Sequence, residues 1–367
     1  MPPRCDPDDK VYLWPRGLTF GQSDESWSKL AGGALCYHSI EILIRNVAGS
    51  VCSFSAGPDA VRDWVSGLSN PISERINALL LAIENPRIPM LNLDWTKPNL
   101  MGILNVTPDS FSDGGRYLDR KDAIEYGHVL CASGARIIDV GGESTRPGAK
   151  PISSQQELDR VLPIVAGLKD LPVPLSIDTR QAAVMSAALE NGVSMINDIS
   201  ALSADPDSLD VASKSDVPIV LMHCQGDPHT MQRSPVYSDV VLDVFDYLES
   251  RIHTCMDAGI SRARIIVDPG IGFGKTLEHN VELLQKLSLF HGLGCPLLVG
   301  MSRKNFIAQL DRGQATNHRL SGSIAASLWA LSQGAQLLRV HDVQETLEAI
   351  NIWLPLQFGF RESEYAK

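Results

Sequence analysis

No CxxC pair occurs in this chain, and its seven cysteines (5, 36, 52, 131, 224, 255 and 295) are scattered over 367 residues. An odd, dispersed set in a long chain excludes a disulfide framework and a thiolate zinc site, and it favours reduced thiols. There is no block of Lys and Arg, and the net charge is −11, so nucleic acid is excluded as an expected partner. The apolar runs are all far shorter than a membrane span, which excludes a membrane-embedded chain. The opening MPPRCDPDDKVYLWP has no apolar h-region, so the expected compartment is the cytoplasm. GxGxxG after a first strand and GxxxxGK[ST] are both missing, which removes the usual dinucleotide and P-loop readings.

What is present is ordinary globular material, 44% hydrophobic and 20% charged. Residues 1–85 read as a small α/β extension. CYHSIEILIR (36–45) alternates as a half-buried strand does, and SERINALLLAIE (73–84) suits a short helix with Ser73 as N-cap. Residues 86–98 hold prolines and no period, and read as a linker. From residue 99 to 357 a rhythm sets in. Eight apolar runs (101–106, 136–142, 174–178, 194–199, 218–223, 264–270, 296–302 and 337–342) alternate with helical patterns near 120–133, 155–168, 180–190, 206–214, 238–258, 278–289, 319–333 and 344–353. Gly134, Gly192, Gly259 and Gly334 each follow a helical pattern, where a left-handed cap belongs. Eight strand–helix units in this length predict an α/β fold of the (β/α)8 TIM-barrel type. A doubly wound open sheet is the structural rival. Residues 358–367 read as a tail.

The polar residues fall at the C-terminal ends of the runs: Asn105, Asp139, Asp178, Asn197, His223, Asp268, Ser302 with Arg303 and Lys304, then Arg339 and His341. In a barrel these ends meet on one rim, where sites are built. Singly, each has a plainer reading. Asp178 could cap the next helix, and Asp268 could organise a turn. Eight polar ends with both signs of charge exceed what capping requires.

Together, GILNVTPDSFSDGG (102–115), IIDVGGESTRPGA (137–149), SIDT (176–179), IND (196–198), LMHCQGDPHTMQ (221–232), DPGIGFGK (268–275), GMSRK (300–304), RLSGS (319–323) and RVHD (339–342) resemble the dihydropteroate synthase family, in its order and over residues 99–357. The resemblance implies a pterin-binding TIM barrel. The implied reaction, in folate biosynthesis, joins 6-hydroxymethyl-7,8-dihydropterin pyrophosphate to p-aminobenzoate and releases pyrophosphate. It further implies Mg²⁺, a homodimer and inhibition by sulfonamides.

The residue chemistry agrees. A pterin edge carries donors and acceptors, which suits buried carboxylates and amides. Asp178, Asn197, Asp268 and Lys304 match the family's pterin positions, with Met222 and Phe273 against the ring faces and Arg339 as a stacking plane. A pyrophosphate needs cations and donors at the mouth. Asn105, Arg146, Arg339 and His341 match that pocket, and Mg²⁺ is expected on Asn105 and Asp113. Phe111, Thr145, Pro147 and Asn305 are the expected p-aminobenzoate contacts. Asp178, Asp268, Lys304 and Arg339 are the expected catalytic set. Asp178 and especially Asp268 are expected to stabilise the pterinylmethyl cation left by early loss of pyrophosphate, which the neutral arylamine then attacks.

One departure stands out: Asn305 replaces the family's usual Ser after SRK. Asn keeps the donor and acceptor character of a helix-capping residue. Three rivals remain. A pterin-dependent methyltransferase would not need the anion set. A non-catalytic pterin sensor would not need an intact first loop. A generic phosphate-binding barrel would not need the buried acids.

Overall fold

A computed structural model describes residues 5–21, 26–68, 70–107, 120–144, 149, 151–226 and 230–358. The N-terminal part begins with β1 (Lys10–Arg16), β2 (Thr19–Phe20), β3 (Ser28–Lys29), β4 (Leu35–Tyr37), β5 (Ser39–Arg45) and β6 (Val51–Ala56). The run expected as one strand over 36–45 is therefore two, parted at His38. β1, β5 and β6 form an antiparallel sheet in that order, and β2, β4 and β3 form a smaller one. Two helices follow, α1 (Pro58–Val65) and α2 (Asn70–Glu84). Ser73, expected as a cap, lies inside α2, because the helix starts earlier, at Asn70–Pro71. Proline is tolerated in a first turn, where its missing N–H has no partner to lose.

The second part alternates strand and helix as expected. β7 (Asn99–Asn105), α3 (Arg120–Ala132), β8 (Ile137–Gly141), α4 (Ser154–Leu168), β9 (Leu175–Asp178), α5 (Ala182–Glu190), β10 (Met195–Asp198), α6 (Ser208–Lys214), β11 (Ile219–Met222), α7 (Val240–Asp257), β12 (Ile265–Asp268), α8 (Leu277–Gln285), β13 (Leu298–Gly300), α9 (Asn305–Leu310), α10 (Leu320–Ser332), β14 (Leu337–Val340) and α11 (Val343–Phe358) run in order. The eight strands β7 to β14 are parallel, with β14 beside β7. A parallel bridge between Val267 and Leu297 joins the two remaining edges, so the sheet closes into a barrel and not a doubly wound layer. Local chemistry supports the helices. Asp239 accepts from Val241 and Leu242 N–H at 3.0 Å to start α7, and Ser153 forms a capping box with Gln156 to start α4. Gly134, Gly192, Gly259 and Gly334 all have positive φ, which stops the preceding helices as expected.

Seven strands contribute one residue each to the barrel interior: Met101, Ile137, Met195, Val220, Ile266, Leu298 and Leu337. Leu93 and Trp95 pack against them from the N-terminal end. Residues 86–98, read as a linker, thus fold under the barrel and close its floor. Trp95 is fixed there by Nε1–H donation to Ile88 O at 3.0 Å and by Gln336 donating to its carbonyl at 3.1 Å.

The extension is seated on the barrel's flank, on α7 and on a fully buried 3-10 segment, Leu287–Leu293. That segment is why the expected helix 278–289 stops at Gln285. Tyr12 meets Phe245 edge-on at 5.5 Å, and Trp14 donates to Ser288 Oγ at 3.1 Å. Arg45 pairs with Asp243 at 2.6 Å and with Asp246. Arg87 is buried, donating to Ala82 O at 2.6 Å and to His291 O at 3.2 Å. The apolar residues of extension and barrel merge into one cluster. Below this seam, between α2 and the floor, lies a cleft of about 520 Å³ lined by Arg75, Leu79, Arg87, His253 and Arg262.

Candidate active site

Strand register decides which side chains meet. Asn105 pairs with Gly141, Gly141 with Asp178, and Asp178 with Asn197, so these four form one row across β7 to β10. On the opposite side Met222 pairs with Asp268, and Gly300 with Arg339. The glycines in these rows matter. A Cβ on Gly141 would stand 3.3 Å from Asn105 Oδ1 and 3.5 Å from Asp178 Cβ, and one on Gly300 would stand 3.7 Å from Arg339 Cβ. Their bareness keeps space between the polar groups.

Arg339 is the hub. Its Nε donates to Asp139 Oδ2 and its Nη2 to Asp178 Oδ2, both at 2.6 Å. Asn197 Nδ2 donates to the same Asp139 oxygen at 2.9 Å. Asp139 is fully buried, and Asp178, Asn197 and Asp268 nearly so. Burial pushes the Asp178 carboxyl above the usual carboxylate range, against the pull of Arg339 and with the push of Asp139. Asp268 is raised for the same first reason, opposed chiefly by Lys304. Lys304 is pushed down to about 8 by burial, with Asp268 opposing.

The loop after β12 is built on left-handed glycines. Gly270 has φ +69°, and its N–H donates to Asp268 Oδ1 at 2.7 Å. A buried lysine, Lys275, pushed down to about 7 by burial, ties this loop to the end of β11. It contacts His223 Nδ1 at 2.9 Å, Gly270 O at 2.9 Å and Phe273 O at 3.0 Å. Burial and this lysine hold His223 neutral, pushing it down to about 2. The loop sets Phe273, whose ring centroid lies 4.4 Å from Lys304 Nζ. Met222 is buried beside Gly270.

After β13, Arg303 takes a left-handed φ of 60°, a costly conformation for a side chain with Cβ. The bend sends neighbouring cations to different partners. Arg303 Nε pairs with Asp342 at 3.0 Å, while Lys304 Nζ reaches Ile271 O in the β12 loop. His341 Nδ1 lies 3.0 Å from Ser302 Oγ at the same rim. Asn305 is the first residue of α9, and Lys304, not Asn305, is its N-cap. The Asn305 amide oxygen accepts from Arg319 at 3.4 Å instead of capping.

The fold thus gathers Asn105, Asp178, Asn197, Met222, Asp268, Phe273, Lys304, Arg339 and His341 at the C-terminal ends of the barrel strands or in the loops that follow them. Asn305 stands further out, at the exposed start of α9. Phe111, Asp113, Thr145, Arg146 and Pro147 lie outside the described residues. Sequence reasoning gave no site role to Asp139 or Lys275. Asp139 was visible as a polar strand end, but only the fold shows it gripping Arg339. It also missed the support behind β8 and β9. There Glu143 and Arg180 pair at 3.0 Å, and buried Glu157 accepts from Gln181. Burial pushes Glu157 up to about 7.

Residues 101–341 match the family described as pterin binding enzyme. The dihydropteroate synthase of Escherichia coli K12 is 47% identical over 262 residues, spanning 71% of this chain and 92% of that one. The chain belongs to the dihydropteroate synthase family. The Haemophilus influenzae member is 44% identical, spanning 71% of this chain and 94% of its own. Among solved structures, the Yersinia pestis dihydropteroate synthase in a sulfonamide drug complex matches with TM-score 0.69 and 47% identity, covering 72% of this chain and 96% of that one. The Burkholderia cenocepacia enzyme complexed with 7,8-dihydropteroate matches with TM-score 0.65 and 42% identity, covering 71% and 91%. The family model begins at residue 101, so it leaves the extension and floor segment outside it.

Proposed function

We propose that the chain condenses 6-hydroxymethyl-7,8-dihydropterin pyrophosphate with p-aminobenzoate, giving 7,8-dihydropteroate and pyrophosphate. The observation that carries this is the charge set at the strand ends: buried Asp139, Asp178 and Asp268 against half-buried Arg339 and Lys304. The Asp178 and Asp268 carboxyls are raised chiefly by burial, so their ionised forms gain from any positive charge brought beside them. A flat, neutral heterocycle with an amino-pyrimidine edge suits the acceptors of Asp178, Asn197 and Asp268, while Lys304 donates to its acceptor atoms. As the C–O bond to pyrophosphate lengthens, positive charge grows on the pterin methylene. Buried carboxylates at Asp178 and Asp268 stabilise that charge, so the pocket favours the transition state over the bound ground state. Phe273 and Met222 supply apolar surface for the ring. The arylamine is neutral near pH 7 and attacks without a base. The chain's task is to hold it in line and exclude water.

Asn105, Arg339 and His341 sit where a departing pyrophosphate would need donors. The amide oxygen of Asn105, uncrowded beside Gly141, is a hard donor that fits Mg²⁺, which takes few protein ligands and several phosphate or water oxygens. When bound there with Asp113, the ion would neutralise the leaving group. We assign p-aminobenzoate to Phe111, Thr145, Pro147 and Asn305, and the second phosphate-facing cation to Arg146.

The test is incubation of pure protein with the pterin pyrophosphate, p-aminobenzoate and Mg²⁺. Stoichiometric 7,8-dihydropteroate and pyrophosphate are expected, and no product overturns the reading. We further propose a homodimer joined through the α10–α11 face, where Trp329, Ile352 and Leu356 are exposed. Light scattering should give twice the chain mass, and Trp329→Glu should halve it. A reducing compartment, the cytosol, suits the seven cysteines, which form no disulfide among the described residues. No helix among the described residues is long and apolar enough to cross a membrane.

A further inference from the structure

Asp139 carries an anomaly. Its Oδ2 takes two donors, Arg339 Nε and Asn197 Nδ2, while its Oδ1 is buried with no hydrogen-bond partner among the described residues. An unpaired buried acceptor costs about 1–3 kcal/mol, so its retention asks for a reason. The Nε–Nη2 edge of a guanidinium matches both oxygens of one carboxylate. Here that edge is split: Nε rests on Asp139 and Nη2 on Asp178. The two acids differ in access. The Asp139 side chain is 0% exposed and that of Asp178 is 8% exposed. Only Asp178 is open to a ligand.

We infer that Asp139 is a positioning residue that anchors Arg339 by Nε and receives Nη2 on Oδ1 when a ligand claims Asp178. Without it, Arg339 would stay on Asp178 and compete with the pterin edge for the same oxygen. With it, a small turn of the guanidinium completes a two-point grip and frees Asp178. The arginine keeps a counter-ion at every stage, which a buried cation requires. The inference rests on the pterin-binding reading and names a residue that reading does not use.

The test uses the full chain and 6-hydroxymethylpterin as probe, titrated by calorimetry. Wild-type binding is established first. Absence of binding there overturns the functional reading, and the hand-over with it. Asp139→Asn keeps the shape and one acceptor but offers an amide donor in place of the other. Its pterin affinity should fall at least tenfold. The acid midpoint of binding should also move to lower pH, because the Asp139 charge helps raise Asp178. The other charges facing Asp178 (Arg339, Glu157 and Asp198) are unchanged by the substitution. A purely structural role would lower the melting temperature without moving that midpoint. Affinity within twofold of wild type and an unmoved midpoint overturn the hand-over alone. A second measurement needs no folded Asp139 variant. In ¹⁵N-arginine spectra of the wild type, the Arg339 Nε–H, identified by its absence from Arg339→Lys, should stay exchange-protected on adding pterin. Loss of protection overturns the anchor.

Discussion

Gly270→Ala puts the loop after β12 to a quantitative test. An alanine there would have to hold φ near +69°, which costs about 1–2 kcal/mol for a residue with Cβ. The added Cβ would also stand 1.9 Å from His223 O, against 3.4 Å for ordinary contact. Closing that gap needs a shift of about 1.5 Å, the difference of the two distances. Either the end of β11 or the turn itself must move. Both routes disturb the Gly270 N–H bond to Asp268 and the Lys275 bond to Gly270 O. Freeing the Asp268 oxygen from its donor adds about 1–3 kcal/mol. The sum is about 2–5 kcal/mol, shared between stability and pterin affinity. The melting temperature should fall by several degrees, and pterin affinity by about tenfold or more. The KM for p-aminobenzoate serves as control and should change less than threefold. Calorimetry and a thermal melt read both. Wild-type affinity and melting temperature in the variant would refute the account of this loop.

Lys304 is pushed down to about 8, and its charged form is the one that donates, so pterin affinity should fall as pH rises through about 8; Lys304→Arg should carry that limb upward, as a titration series would show. His223 and His291 are held neutral, pushed down to about 2 and about 3 from 6.5. The unfolded chain therefore binds more protons below pH 6.5, and stability is lost as pH falls. At pH 5 the loss should be about 2 kcal/mol for each histidine, measured by denaturant titration at both pH values. Arg87→Ala removes the donor to Ala82, Asn85 and His291 carbonyls. It should cost about 3 kcal/mol of stability by leaving buried acceptors unpaired, with pterin affinity unchanged. Met101→Ala, in the barrel interior, should cost about 2–5 kcal/mol in the same assay.

The barrel was legible because its signals are local and repeated. Runs such as RIIVDPG and RIIDVGG state a buried parallel strand and its polar end within seven residues. The polar cluster at the rim was legible through those ends. Asp139 was not, because nothing in IIDVGG tells a supporting acid from a ligand-facing one; only its lack of exposure does. The extension was harder to read for physical reasons. β1 carries Pro15, which argues against a strand until the edge position is known. β6 is mostly exposed, so it has little apolar pattern. α9 is six residues, less than two turns, too short to show a period. The break at Lys286 comes from the extension pressing on 287–293, a contact between residues far apart in sequence.

The seam between extension and barrel bears on selectivity. The matched part of this chain nearly exhausts the Escherichia coli and Haemophilus influenzae proteins, at 92% and 94% of their lengths. What the match leaves over in either is far shorter than the 85 residues of the extension. A compound wedged into the cleft beneath the Arg87 and His291 contact would pry on the joint between extension and barrel. It would also act at the opposite end of the barrel from the rim where the polar strand ends gather.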